Sequence, residues 1–294
     1  MSDRRLCKKA GMDTAPTASR FCAFEVAAFN ELPLLLPQPT PVPNWPLVGY
    51  EDVLSRCRSA WAALPGCAPL HFRLVGPPGV GKNQLVYALA RAEGKPLYII
   101  QGHDELMPED LACCARLNDQ NRVQYVASPL LAAMVRGGIC FFDEIGKVPP
   151  RSLSLLASVL DDRRSLTSLL AGVTVHAHSE FRFCAALNDS DATGGLPAFV
   201  DERLRPCFVL DYPAIEQLMQ IVAARFPAAS SELLNALRKH VANDSRTSPR
   251  QALSILTYAS RLHGPHEDLS PAMAAQLIAE AAAACCCGDA PELT

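Results

Sequence analysis

Between residues 47 and 212 the chain alternates stretches of helical periodicity with short apolar runs. The runs are His71-Phe72-Arg73-Leu74-Val75, Pro96-Leu97-Tyr98-Ile99-Ile100, Ile139-Cys140-Phe141-Phe142, Phe181-Arg182-Phe183-Cys184-Ala185-Ala186-Leu187 and Cys207-Phe208-Val209-Leu210. Apolar runs this short, set between helical stretches, read as strands of a parallel sheet buried on both faces, an α/β architecture. After Pro213 the strand signal stops. Residues 215–225, 230–241, 249–263 and 271–284 keep helical spacing, and Pro213, Ser230 and Ser248 stand where helices are expected to start. The pattern therefore predicts an α/β domain over 47–212, a small all-helical domain over 213–284 and a tail over 285–294. Upstream, Pro33, Pro37, Pro39, Pro41 and Pro43 punctuate the end of residues 1–46, which are expected to form an extended lead-in segment.

Composition narrows the function classes. A chain of 294 residues points to about two domains, and 49% hydrophobic against 19% charged residues is enough apolar material for real cores. With 27 Lys+Arg against 30 Asp+Glu, the net charge of −3 supplies no general field for nucleic acid. No charged start leads into an apolar leader, and no stretch is long enough to insert in a membrane, so a cytoplasmic protein is expected. The 12 cysteines include the neighbours Cys113-Cys114 and Cys285-Cys286-Cys287, without the CxxC pairs that hold zinc, and read as free thiols.

The most specific chemistry sits after the first apolar run. Gly76-Pro77-Pro78-Gly79-Val80-Gly81-Lys82 joins a predicted strand to a predicted helix reaching about Arg91. Glycines let the backbone fold tightly enough for several N–H groups to converge on an anion, the helix start adds positive potential, and Lys82 adds a full charge. The loop, with Asn83 and Gln84 opening the helix, is expected to bind the phosphates of ATP. Asn83 stands where Ser or Thr would place a hydroxyl on Mg²⁺; an amide oxygen is also a hard ligand, but it sits one bond further out. Farther on, Ile139-Cys140-Phe141-Phe142 ends in Asp143-Glu144. One carboxylate at such a strand end can hold Mg²⁺ (Asp143, with Asn83) while the other activates the attacking water (Glu144).

These residues together resemble AAA+ ATPases of the MoxR type. The likeness runs from residue 47 to about 263 and includes Val48-Gly49-Tyr50-Glu51, Ser128-Pro129-Leu130-Leu131, Asp143-Glu144-Ile145, Pro149-Pro150-Arg151 and Leu160-Asp161-Asp162-Arg163. It implies a P-loop NTPase fold with a parallel sheet flanked by helices and a helical lid. It also implies a ring, commonly a hexamer, that remodels a protein client, often with a partner containing a von Willebrand factor A domain. The resemblance makes Asn188 the sensor-1 residue facing the γ-phosphate or water. It makes Arg203 the finger reaching a neighbour's nucleotide, with Arg205 as the substitute, and Arg250 of Ser248-Pro249-Arg250 the sensor-2 residue of the lid.

Some positions depart from that family. Gly146 and Lys147 replace the usual Asn and Arg after Glu144-Ile145, and residues 119–127 and 164–180 fall where this branch carries a hairpin or insert. His176 and His178 alternate along one such stretch, on a polar face or as metal ligands. Two functions remain open: an ATPase that remodels a client, or a nucleotide-gated scaffold that hydrolyses weakly because of Asn83. A nucleic-acid motor finds no basic run to support it.

Overall fold

A computed structural model describes residues 25–29, 32–188, 195–242, 244, 246–264 and 269–285. Cys7, Cys22, Cys286 and Cys287, and most of the expected lead-in and tail, lie outside the described residues. The chain runs through β1 (Glu25–Phe29), β2 (Leu32–Leu36), α1 (Glu51–Trp61), β3 (Phe72–Val75), α2 (Lys82–Glu93), β4 (Leu97–Gln101), β5 (Cys113–Leu117) and β6 (Val123–Ala127). Then follow α3 (Pro129–Arg136), β7 (Ile139–Asp143), α4 (Pro150–Leu153), α5 (Leu156–Val159), β8 (Ser165–Ser168), β9 (Val173–His176) and β10 (Arg182–Leu187). The last part holds α6 (Ala198–Asp201), β11 (Cys207–Val209), α7 (Ile215–Arg225), α8 (Ser231–Ala242), α9 (Pro249–His263) and α10 (Pro271–Cys285).

The five apolar runs form one five-stranded sheet in the order β11-β3-β10-β7-β4, parallel throughout. Alternation along β7 explains why it is apolar at every position before Asp143. Ile139 and Phe141 join a core with Leu85 and Leu89 of α2, while Cys140 and Phe142 join one with Leu131 and Met134 of α3. The pairs Gln101↔Asp143 and Leu187↔Val75 bring the strands to an end at about the same level, so the loops after β3, β4, β7 and β10 gather at one edge.

The segment read as a separate lead-in is partly something else. Leu34-Leu35-Leu36 is strand, and β2 lies between β1 and β6 in a four-stranded sheet ordered β1-β2-β6-β5. Leu34 and Leu36 are buried in the same core as Phe142. The prolines suggested an extended path, and β2 is extended; burial of three leucines outweighs the hydrogen bond that Pro33, within the strand, cannot donate. Hairpins do occupy the two family-specific stretches: β5–β6, starting six residues ahead of the expected stretch, and β8–β9. His176 ends β9 exposed; His178 lies beyond it, its Nδ1 accepting the Glu180 N–H at 3.1 Å. Among the described residues no three His, Cys, Asp or Glu side chains cluster as metal ligands, and the described cysteines are free thiols.

A third core belongs to the helices after Pro213, with Leu218, Val222, Leu237, Ile255, Leu256 and Ile278 at its centre. Helix α9 begins with Ser248 as its cap: the Ser248 Oγ accepts the Gln251 N–H at 3.1 Å, and Gln251 Oε1 accepts the Ser248 N–H at 2.9 Å. No described helix is long and apolar enough to cross a membrane.

His71, just before β3, is 6% exposed and lies edge-on to Phe183 at 6.0 Å between ring centroids. Burial first, then the Arg164 and Arg182 cations, push its pKa down to about 3. An unfolded histidine titrates near ~6.5, so below that pH the unfolded chain takes up the proton that the folded ring refuses. The contribution is complete above about 6.5 and is lost at about 1.4 kcal/mol per pH unit as the pH falls toward about 3. Urea unfolding at pH 7 and pH 5 should therefore show wild type losing about 2 kcal/mol more than His71→Phe; equal losses would refute the assignment.

Candidate functional site

The loop after β3 turns on two glycines that no other residue replaces without strain. Gly79 and Gly81 have φ of +77° and +115°. A Cβ on Gly79 would also stand 2.9 Å from Ser248 Oγ and 3.0 Å from Arg250 Cβ, so the loop touches the start of α9 directly. Helix α2 then opens with Gly81 as its cap and no side-chain acceptor for its first N–H groups. Such a start favours an anion.

Lys82 is 7% exposed. Its Nζ donates to the carbonyls of Gly76 at 2.6 Å and Pro77 at 3.1 Å, and to Asn188 Oδ1 at 2.9 Å. Asn188, just past β10, also donates from Nδ2 to Glu144 Oε1 at 3.5 Å. On the other side, Asn83 Nδ2 donates to Asp143 Oδ2 at 3.0 Å, and the Glu144 N–H donates to Asp143 Oδ1 at 3.1 Å. The phosphate loop, the acidic strand end and the Asn after β10 thus form one connected set.

Glu144 adopts φ +53°, a left-handed backbone uncommon for a residue with a side chain, of the kind that concentrates at functional sites. Its carboxylate accepts from Lys147 Nζ at 2.9 Å and from Gln101 Nε2 at 2.7 Å. The Lys147 hydrogen bond, chiefly, holds the Glu144 carboxyl below the usual carboxylate range against the opposing effect of burial; Gln101 and Asn188 add to it. Neither Gln101 nor Lys147 carries a role in the sequence reading. A polar residue ending an otherwise apolar strand was the available signal for Gln101, and the register that pairs it with Asp143 comes from the structure.

A cavity of about 740 Å³ lies between the α/β domain and the terminal helices. Pro78, Gly79, Val80, Gly81, Lys82, Asn83, Gln84, Asp143, Glu144, Asn188 and Arg250 line it; Gly76 and Pro77 contribute through their carbonyls on Lys82. The rest of its lining is mostly apolar and includes Trp45, Val48, Tyr50, Ile221, Phe226 and Leu253. The Tyr50 hydroxyl lies 3.1 Å from the Val80 carbonyl and 2.9 Å from that of Asp211; burial and the Asp211 charge push its pKa up to about 12.

Arg203 and Arg205 are not among the described residues lining this cavity. Arg203 Nη1 donates to the Phe199 carbonyl at 2.7 Å, while its Nε is buried without a partner among the described residues. Arg205 is paired with Asp201 at 3.0 Å, and Arg73 of β3 holds the same carboxylate at 2.8 Å.

Residues 71–206 match the family described as AAA domain (dynein-related subfamily). The fold is similar to the Thermotoga maritima RuvB Holliday junction branch migration motor, with TM-score 0.55 and 18% identity over 80% of this chain and 68% of that one. It is also similar to NtrX from Brucella abortus in complex with ADP, with TM-score 0.53 and 18% identity over 78% and 54%. In sequence the chain is 29% identical to the denitrification regulatory protein NirQ of Pseudomonas aeruginosa, over 66% of this chain and 76% of that one. It is 30% identical to YojN of Bacillus subtilis, over 55% and 54%. The chain spans about half the length of YojN and of its staphylococcal relatives. The fold is the P-loop AAA+ fold, a parallel sheet flanked by helices with further helices at its C-terminal side.

Gly79→Ala adds a left-handed penalty and pushes against Ser248 and Arg250. Urea unfolding should register a loss of about 1–3 kcal/mol; a variant as stable as wild type would mean the loop does not press on α9 as described.

Proposed function

We propose that the chain binds ATP at this cavity and hydrolyses it as a ring-forming AAA+ ATPase of the MoxR type, remodelling or activating a protein client in the cytoplasm. The observation that carries the reading is the connected set of Lys82, Asn188, Glu144, Asp143 and Asn83 at the end of the sheet, with Arg250 lining the same cavity.

In this reading the N–H groups of residues 79–84 and the Lys82 ammonium hold the β- and γ-phosphates, which take the place of the carbonyl and amide oxygens now on Lys82. Asn188 turns from Lys82 toward the attacking water, for which a neutral amide offers both donor and acceptor. Glu144 accepts that water's proton as the new P–O bond forms and ADP leaves. A carboxylate held low by Lys147 is a weak base, so release of Glu144 from Lys147 belongs to the active state. Arg250 follows γ-phosphate loss from the lid. Arg203 is half-buried and does not line its own cavity, and in a ring, commonly a hexamer, it would serve a neighbour's site.

The oxygen donors Asp143 and Asn83 suit Mg²⁺, which when bound would neutralise charge on the phosphates. Asn83 presents its amide nitrogen, however, so it must turn over to offer its oxygen. This favours one second reading: a scaffold that binds nucleotide and assembles while hydrolysing slowly. The likeness to a protein named a denitrification regulatory protein supports a client-activating role, and a von Willebrand factor A domain protein is the partner class proposed. The net charge of −3 speaks against a nucleic-acid motor.

Steady-state phosphate release should fall at least about 100-fold in Glu144→Gln while ATP binding persists. A wild type with no measurable turnover that still assembles with ATP, seen by light scattering, selects the scaffold. Asn83→Thr should raise Mg²⁺-dependent turnover several-fold, and equal rates would remove Asn83 as the cause of slow hydrolysis.

A further inference from the structure

The apolar lining of the cavity includes a contact between two segments far apart in the chain. Trp45 belongs to the proline-rich strap that follows β2, and Arg225 is the last residue of α7. The Arg225 guanidinium carbon lies 3.2 Å from the centroid of the Trp45 ring, the spacing of a flat stack of guanidinium on indole. Both side chains line the cavity. Burial lowers the Arg225 pKa.

The strap is fixed from its other side. Arg91, on the last turn of the helix that starts at Lys82, donates Nη2 to the Trp45 carbonyl at 2.7 Å and Nη1 to the Pro43 carbonyl. The proline-rich backbone has few conformations to lose, so an indole mounted on it is held in place at small entropic cost. One chain of contacts thus runs from the phosphate-loop helix through Arg91, the strap and Trp45 to Arg225 of the helical domain.

We propose that the Trp45–Arg225 stack is a latch that closes the base end of the nucleotide cavity and sets how fast nucleotide leaves. This rests on the nucleotide reading of the same cavity. The phosphates are held at the opposite end, so opening the latch lets the helical domain swing from the strap and frees the base without altering the phosphate contacts. A lysine at position 225 keeps the charge but not the flat fork, and cannot replace it.

The experiment measures release of mant-ADP chased with excess ADP, and equilibrium competition by inorganic tripolyphosphate. Release should be about tenfold faster in Trp45→Ala, Arg225→Ala and Arg225→Lys, the Trp45→Ala/Arg225→Ala pair should be no faster than either single variant, and Trp45→Phe should recover most of the wild-type rate. Tripolyphosphate affinity should change less than about twofold in every variant. Arg91→Ala, which frees the strap without touching the stack, should accelerate release in the same way and serves if Trp45→Ala fails to fold. Unchanged release, additive effects in the double variant, or an equal loss of tripolyphosphate affinity would overturn the latch. A folded wild type that binds tripolyphosphate but not mant-ADP would overturn it too, and one that binds neither would remove the nucleotide reading itself.

Discussion

A buried ammonium must be surrounded by acceptors or give up its charge, and Lys82 meets that condition with oxygens from two segments of the chain. Gly76 and Pro77 supply carbonyls from its own loop, while Asn188 supplies an amide oxygen from beyond β10. This requirement ties the loop to the strand two positions from β4 in the sheet. Because Asn188 has both an acceptor and a donor, it also passes the link on to Glu144. The charge that makes the loop attractive to phosphate is therefore the same one that assembles the rest of the site around it.

The sheet supplies the level surface on which this happens. Its parallel strands carry apolar residues on both faces, and the strand ends gather Gly102, Asp143 and Asn188 beside the phosphate loop. The helical domain has its own core but touches the loop where Gly79 faces Ser248 and Arg250. A helical domain resting directly on that loop is placed to respond to a change in the loop, which under the proposed nucleotide reading would couple nucleotide state to movement. The strap with Trp45 adds a second tether at the far end of the same cavity.

Much of this was legible from residues alone, and the exceptions have physical causes. The central strands of the sheet were found because burial on both faces leaves an unbroken apolar run, as along residues 139–142. The helices were found from periodicity and from caps such as Ser248-Pro249. Strand β2 was missed because its signal is only three leucines among prolines, and what makes it a strand is a partner, β6, some ninety residues away. Gln101 and Lys147 were missed for a related reason: polar residues at a strand end or in a short turn look the same whether they face water or a carboxylate.

The amino-acid sequence determined by itself the elements that carry local information: the glycine-rich anion loop with Lys82, the acidic strand end, the apolar strands and the capped helices. Backbone conformation and burial periodicity depend on neighbours within a few residues, so they can be read in one dimension. Tertiary structure alone decided which side chains meet across the sheet and between domains, among them Asn83 on Asp143, Lys147 and Gln101 on Glu144, Arg73 on Asp201 and Arg225 on Trp45. Those contacts depend on strand order, register and the seating of the helical domain, which no local pattern encodes.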